Sequence, residues 1–225
     1  MDNLTIYSDL ITKGLPVTLS LGVAGIITAC LLAILLTIAL TSKSIIINKL
    51  IQGYLIVFTG TPLLVQIFLI YYGPAQFGQF FSNYLPLLWK LLSEPWFCAY
   101  IALVLNSGAY TTQIFYGALK AVPTGQWQAC SALGMNKIQT LKVVLPYALK
   151  RALSSYSNEI IFVVKSTALA STVTLLDVMG VSQLINGQYY DFSVFIAAGV
   201  IYLLINGGLS IIMRLVEKKA LAFEN

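Results

Sequence analysis

From position 17 to position 40 the chain carries no charged side chain. At 1.5 Å per residue a helix of that length crosses the roughly 30 Å hydrocarbon core of a bilayer. Backbone placed in lipid must satisfy its own polar groups, so a stretch like this enters a membrane as a helix. Four more stretches have the same character: 54–72, 96–119, 157–176 and 192–213. The fourth is the least clean, because it holds Glu159 and Lys165. The first lacks a basic leader, follows Asp2 and Asp9, and is too long for the apolar core of a signal peptide. It is therefore expected to be retained.

Composition narrows the class further. The chain is 58% hydrophobic and 9% charged, with a mean hydropathy of +0.85. A soluble domain carries about a quarter of its residues as charges, so most of this surface is expected to face lipid or partner protein. Histidine is absent, and Cys30, Cys98 and Cys130 are far apart. That excludes zinc-ligand and haem-attachment patterns and leaves the cysteines as small apolar packing residues. No P-loop, Mg²⁺ carboxylate pair or nucleophile–base set is present. The chain is accordingly read as no enzyme, with no metal and no catalytic residues of its own.

Orientation follows from the basic residues. Lys43, Lys49, Lys120, Lys137, Lys142, Lys150, Arg151, Arg214, Lys218 and Lys219 fall on one side, and only Lys13 and Lys90 on the other. This split predicts an outer (periplasmic) N-terminus and a cytoplasmic C-terminus. It also accounts for the net charge of +5 without a nucleic-acid partner. The outer loop 73–95 is broken by Pro74, Pro86 and Pro95 and edged by Tyr71, Tyr72, Trp89 and Trp96. Those aromatics suit a membrane interface, where a short helix could lie on the surface.

The inner loop 120–156 is too long for a simple connector. Pro123, Thr124 and Gly125 make a turn, and residues 126–133 can form a short helix that Gly134 ends at positive φ. Asn136 can cap a second helix, with Ile138, Leu141 and Val144 or Leu145 at helical spacing, which Pro146 is expected to interrupt or kink. The product is a helix–turn–helix knob. Gln128-Ala129-Cys130, then Gly134, then Val143-Val144-Leu145-Pro146 resembles the EAA loop of ABC importer permeases.

Further stretches carry the same resemblance, to the polar amino acid (histidine, glutamine, arginine) branch. They are Gly60-Thr61-Pro62-Leu63-Leu64-Val65-Gln66 with Ile70-Tyr71-Tyr72-Gly73, Asn106-Ser107-Gly108-Ala109-Tyr110 with Gly117, and Asn158-Glu159 with Lys165-Ser166-Thr167-Ala168-Leu169. The resemblance implies a type I importer permease, one domain spanning 1–225 in the bacterial inner membrane. It implies that a cytoplasmic ABC ATPase dimer, holding the ATP and Mg²⁺ that this chain does not bind, docks on Gln128, Ala129, Gly134, Leu145 and Pro146. A periplasmic amino-acid-binding protein would deliver a polar, cationic amino acid such as arginine. Thr59, Gln113 and Tyr116 stand where the family pattern carries Arg, Glu and Arg, which points to a second, non-identical permease as partner. Physically, Gly60-Thr61-Pro62 offers a helix break whose freed carbonyls need a cavity or a neighbour.

Charges inside a bilayer cost on the order of 2.5–3.5 kcal/mol each, so Glu159 and Lys165 are the first candidates for substrate contact. Six residues apart, they point about 120° from each other and do not share a helix face. A cationic amino acid offers both complements, its carboxylate to Lys165 and its guanidinium to Glu159. The other reading hydrates Glu159 at a helix end and lets Lys165 snorkel or pair across helices. Asn106, Tyr110 and Thr167 are second candidates, each also able to serve as polar glue between helices. Two other functions remain: a channel or secondary transporter that needs no ATPase, which the absence of an inverted repeat disfavours, and a membrane enzyme, which the absence of His disfavours.

Overall fold

A computed structural model describes residues 8–221; the outermost residues of the expected 1–225 domain lie outside the described residues. Every described element is helical. The helices are α1 (Leu15–Leu40), α2 (Ile45–Gly60), α3 (Leu63–Tyr72), α4 (Gly78–Tyr84), α5 (Pro86–Leu92), α6 (Pro95–Lys120), α7 (Thr124–Ala132), α8 (Lys137–Ser166), α9 (Val178–Tyr189) and α10 (Ser193–Leu221). A π-helical turn, Leu10–Gly14, leads into α1, and tighter 3₁₀ turns cover Pro74–Phe77 and Thr167–Val173.

Two helices are each apolar and long enough to cross a membrane: Leu10–Leu40 and Ser193–Ala220. Three helix pairs pass the same test together but are bent, by 104° between α2 and the helical run Leu63–Tyr84, by 85° between α5 and α6, and by 44° between Lys137–Val173 and α9. The described residues thus hold two clear spans, and up to five if each bent pair is one span.

Helix α6 is the hub, packed on α1, α2, α3 and α8. Its buried face is built from small residues, Ala99, Ala102, Ser107, Gly108 and Ala109 among them. In lipid, helices gain by close approach through such residues because apolar burial alone drives little. Helix α1 meets this face with Leu21, Gly22, Gly25, Ala29 and Ala33, while Leu19, Val23, Ile27, Leu31 and Leu35 stand exposed at every fourth position. That exposed stripe matches a lipid-facing surface. Leu21, Leu63, Ile67, Leu103, Val163 and Val173 close the main core.

Several expectations change. In the segment 54–72 the break expected at Gly60-Thr61-Pro62 is present, with the chain turning at Thr61 and Pro62, where a proline removes the next N–H, but the helix before it begins earlier, at Ile45. The segment 157–176 is not a helix of its own, because α8 starts at Lys137 and passes through Pro146 unbroken. The loop 120–156 therefore ends as the first part of the long helix α8 and not as a separate knob. Pro146 is tolerated on an exposed side of α8, next to an exposed Lys142, whose carbonyl loses its N–H partner to water instead of to a buried void. Pro74, Pro86 and Pro95 start elements rather than break them, each at a first turn.

Candidate functional site

Breaking a helix inside a membrane strands carbonyls. At the α2–α3 break, Pro62 has no N–H to give Phe58, and two side chains replace it. Asn106 Nδ2 donates to Phe58 O at 2.9 Å, and Gln66 Nε2 donates to the same oxygen at 2.9 Å. Gln66 Nε2 also reaches Thr61 O at 3.1 Å and Thr61 Oγ1 at 2.8 Å, while Asn106 Nδ2 meets Gln66 Oε1 at 3.2 Å. One turn away the Tyr110 hydroxyl donates to Thr59 O at 3.1 Å. Tyr54 OH donates to Leu105 O at 2.6 Å, fixing α2 to α6 from the other side. The break is a rigid corner, held by α6.

This places two of the expected substrate contacts. The Asn106 amide is buried and engaged with the break. Tyr110 is 36% exposed, with its ring on the outside of the corner. Beside it Gln113 Nε2 lies 3.5 Å from Thr59 Oγ1, so two of the positions that depart from the family pattern are neighbours in space. Thr167 is fully buried and its hydroxyl bonds Val164 O at 2.7 Å.

Glu159 is 9% exposed, on the face of α8 that packs toward α6. The Ser107 hydroxyl lies against its carboxylate, and Oε1 has no hydrogen-bond partner. Lys165 is exposed on a different face, and neither residue forms an ion pair among the described residues. The two are thus not brought together.

Sequence reasoning missed a second polar cluster. Asp177 is fully buried and caps α9, its Oδ1 accepting from Gly180 N at 2.8 Å and its Oδ2 from Tyr202 OH at 3.0 Å. Val178 N donates to Thr18 Oγ1 at 3.1 Å, and Thr18 and Thr167 both reach Tyr202. An Asp just before the apolar run 178–181 is a capping signal that could have found it.

The α7–α8 end of the molecule carries the other candidate surface. Helix α7 ends in a Schellman motif: Gly134 has φ +68°, its N–H bonds Ser131 O at 3.0 Å, and Met135 N bonds Cys130 O at 3.0 Å. Helix α8 opens with a capping box, Gln139 N to Asn136 Oδ1 at 3.0 Å and Asn136 N to Gln139 Oε1 at 2.8 Å. Cys130, Val144 and Ala148 pack the two helices together under Leu119 and Val122. Outside, Gln128, Ala129, Gly134 and Pro146 are exposed and Leu145 is half-buried. An apolar groove of about 340 Å³ runs between Ala129, Leu133, Met135 and Val143. Leu133 and Val143 are exposed beside it, so the groove lies in an uncovered apolar patch.

Comparison with known proteins agrees with this geometry. The model of the binding-protein-dependent transport system inner membrane component matches residues 15–221. The chain is 61% identical to the arginine ABC transporter permease protein ArtM of Escherichia coli K12, covering 97% of each chain. It is 53% identical to ArtM of Haemophilus influenzae (97% and 95% covered) and 41% identical to the nopaline permease NocM of Agrobacterium fabrum (90% and 84% covered). Among solved structures, an amino acid ABC transporter with histidines superposes with a TM-score of 0.84 at 29% identity, covering 97% of this chain and 99% of that one. The inward-facing MetNI methionine transporter (TM-score 0.71, 17% identity, 98% and 99% covered) shares the fold. An all-helical body, a helix broken at Gly-Thr-Pro and braced by an Asn, and near-complete coverage lead to one family: the chain belongs to the binding-protein-dependent transport system inner membrane components, the permease subunits of ABC transporters.

Proposed function

We propose that this permease imports a polar, cationic amino acid, arginine, across the bacterial inner membrane. The observation that carries the cargo is the 61% identity, over 97% of the chain, with an arginine permease. In this reading each bent helix pair counts as one crossing. Five crossings then run from a periplasmic N-terminus to a cytoplasmic C-terminus, and the basic residues supply the orientation. A single permease domain occupies 1–225.

The α7–α8 surface with Gln128, Ala129, Gly134, Leu145 and Pro146 is the seat of an ABC ATPase dimer, which supplies the ATP and Mg²⁺ chemistry. A periplasmic binding protein delivers cargo from the other side. The path is completed by a second, non-identical permease, a reading supported by the neutral residues Thr59, Gln113 and Tyr116 at positions where the family pattern is charged. Glu159 receives the guanidinium, and Lys165 the carboxylate, when the helices part. Thr167, Asn106 and Tyr110 shape the walls.

The test is uptake of labelled arginine by cells that lack their own arginine permeases and express this chain with its neighbouring transporter genes. Saturable uptake that arginine outcompetes, and that Glu159→Gln abolishes while Glu159→Asp retains in part, is the expected result. Unchanged uptake of arginine and lysine by Glu159→Gln removes Glu159 from the path. No arginine uptake with intact ATPase association removes the cargo assignment.

A further inference from the structure

At the inner end of α10 a small notch of about 140 Å³ opens between α8 and α10. Its lining is mainly polar: Ser154, Ser157 and Asn158 from α8, and Ser210, Arg214 and Glu217 from α10. Arg214 and Glu217 are three residues apart on one helix face, a spacing at which opposite charges usually meet. Here they form no ion pair with each other or with any described residue. Around the notch α10 is apolar and open, with Ile211, Ile212, Leu215 and Val216 all exposed, and Lys218 and Lys219 follow at its end. A polar recess carrying one free cation and one free anion is therefore set beside an exposed apolar surface, and in the topology proposed above, on which this inference rests, it lies where the last membrane helix meets the cytoplasm.

We infer that this notch binds a zwitterion with an oxyanion beside an ammonium, the phosphoethanolamine headgroup of an inner-leaflet lipid. The oxyanion pairs with the Arg214 guanidinium, whose fork suits phosphate. The ammonium pairs with Glu217, and the serine and asparagine groups supply the remaining hydrogen bonds. Size agrees: at about 30 Å³ per water, the notch holds a few waters' worth of polar matter and no acyl chain. The exposed isoleucines and leucine beside it offer the acyl chains their own surface. A purely anionic headgroup fits less well, since Glu217 repels it. The α-amino and carboxyl groups of a free amino acid share the same chemistry and are the other source to separate.

The full-length chain, purified with the subunits that accompany it, is reconstituted into nanodiscs of phosphatidylethanolamine and phosphatidylglycerol in equal amounts. Retained lipid is then counted by native mass spectrometry. Wild type is expected to keep phosphatidylethanolamine in preference to phosphatidylglycerol. Arg214→Gln and Glu217→Gln are each expected to lower that retention about tenfold, and Arg214→Lys to lower it less. Unfolding midpoints measured alongside identify any variant that fails to fold, for which Arg214→Lys and Glu217→Asp carry the comparison. In nanodiscs of phosphatidylglycerol alone, binding of free arginine or glycine that Arg214→Gln abolishes assigns the notch to a free amino acid. The inference is overturned if wild type keeps the two lipids equally and no such amino-acid binding is found. It is overturned equally if Glu217→Gln leaves retention unchanged, because the site is then a plain anion site.

Discussion

Phe58 O, at the α2–α3 break, is held twice, by Asn106 and by Gln66, and that redundancy has a measurable signature. Isosteric replacements, Asn106→Leu and Gln66→Met, remove the hydrogen bonds and keep the volume. Hydrogen bonds between membrane helices average about 0.6 kcal/mol. Asn106→Leu loses its bonds to Phe58 O and Gln66 Oε1, about 1 kcal/mol by that average. Gln66→Met loses four bonds, about 2.4 kcal/mol. Counting bonds alone, the double variant costs about 0.6 kcal/mol less than the two singles together, because the Asn106–Gln66 bond is lost only once. Only in the double variant, however, is Phe58 O left with no donor, and a buried orphan carbonyl costs about 1–3 kcal/mol. The double variant is therefore expected to be more destabilised than the singles predict, by about 1 kcal/mol after the bond counted twice is allowed for. Reversible unfolding in mixed detergent, run as a double-mutant cycle, measures it. A cycle that closes below additivity refutes the view that the break is stabilised by feeding its carbonyl, and leaves the Asn106–Gln66 bond as the main contribution.

A methyl at Gly14 meets Val178 Cα at 2.8 Å and Val178 N at 2.9 Å, backbone that cannot yield, whereas one at Gly108 meets the far end of Leu32 at 2.9 Å. Gly14→Ala is expected to lower the thermal midpoint of the purified complex more than Gly108→Ala, and the reverse order contradicts the packing argument. Asp177→Ala loses a helix cap and the Tyr202 bond and is expected to cost about 2 kcal/mol, while Asp177→Asn, which still caps, costs less than half of that; chemical denaturation separates them. Thr59→Arg or Gln113→Glu alone places an unpaired charge in the membrane, at about 2.5–3.5 kcal/mol. The double variant is expected to recover folded yield, because the two side chains are within reach of each other.

Membrane residence, the approximate positions of the apolar segments and the turn at Gly134 were legible in the sequence because each has a local cause: an uncharged run, or a glycine where positive φ is needed. The capping box at Asn136 was half legible, the cap itself being read and its Gln139 partner not. Continuity was not legible. Pro146 reads as an interruption on local rules, yet α8 passes through it because its freed carbonyl is on an exposed side. The α2–α3 corner was legible as a break, but not as a braced one. Gln66 is eight residues from Phe58 and Asn106 is forty-eight, so only the fold reveals that both serve one oxygen. Asp177 escaped notice because it lies one residue past the fourth apolar segment, 157–176, where an acidic residue looks like loop.

Two carboxylates are buried among the described residues, Glu159 and Asp177, and they differ in what they have left to give. Asp177 spends both oxygens, one on the α9 backbone and one on Tyr202, so it is a brace. Glu159 has Ser107 beside it and an oxygen with no partner. A buried carboxylate left that way is expensive unless something completes it. Elsewhere Thr59 and Gln113 are neutral and touch, and a charge on only one of them would be stranded. Glu159 is 9% exposed, so under the proposed function a cation reaches it when α6 and α8 separate at Ser107; α8 runs without a break from the α7–α8 surface to Glu159, which is the route by which a push there would act.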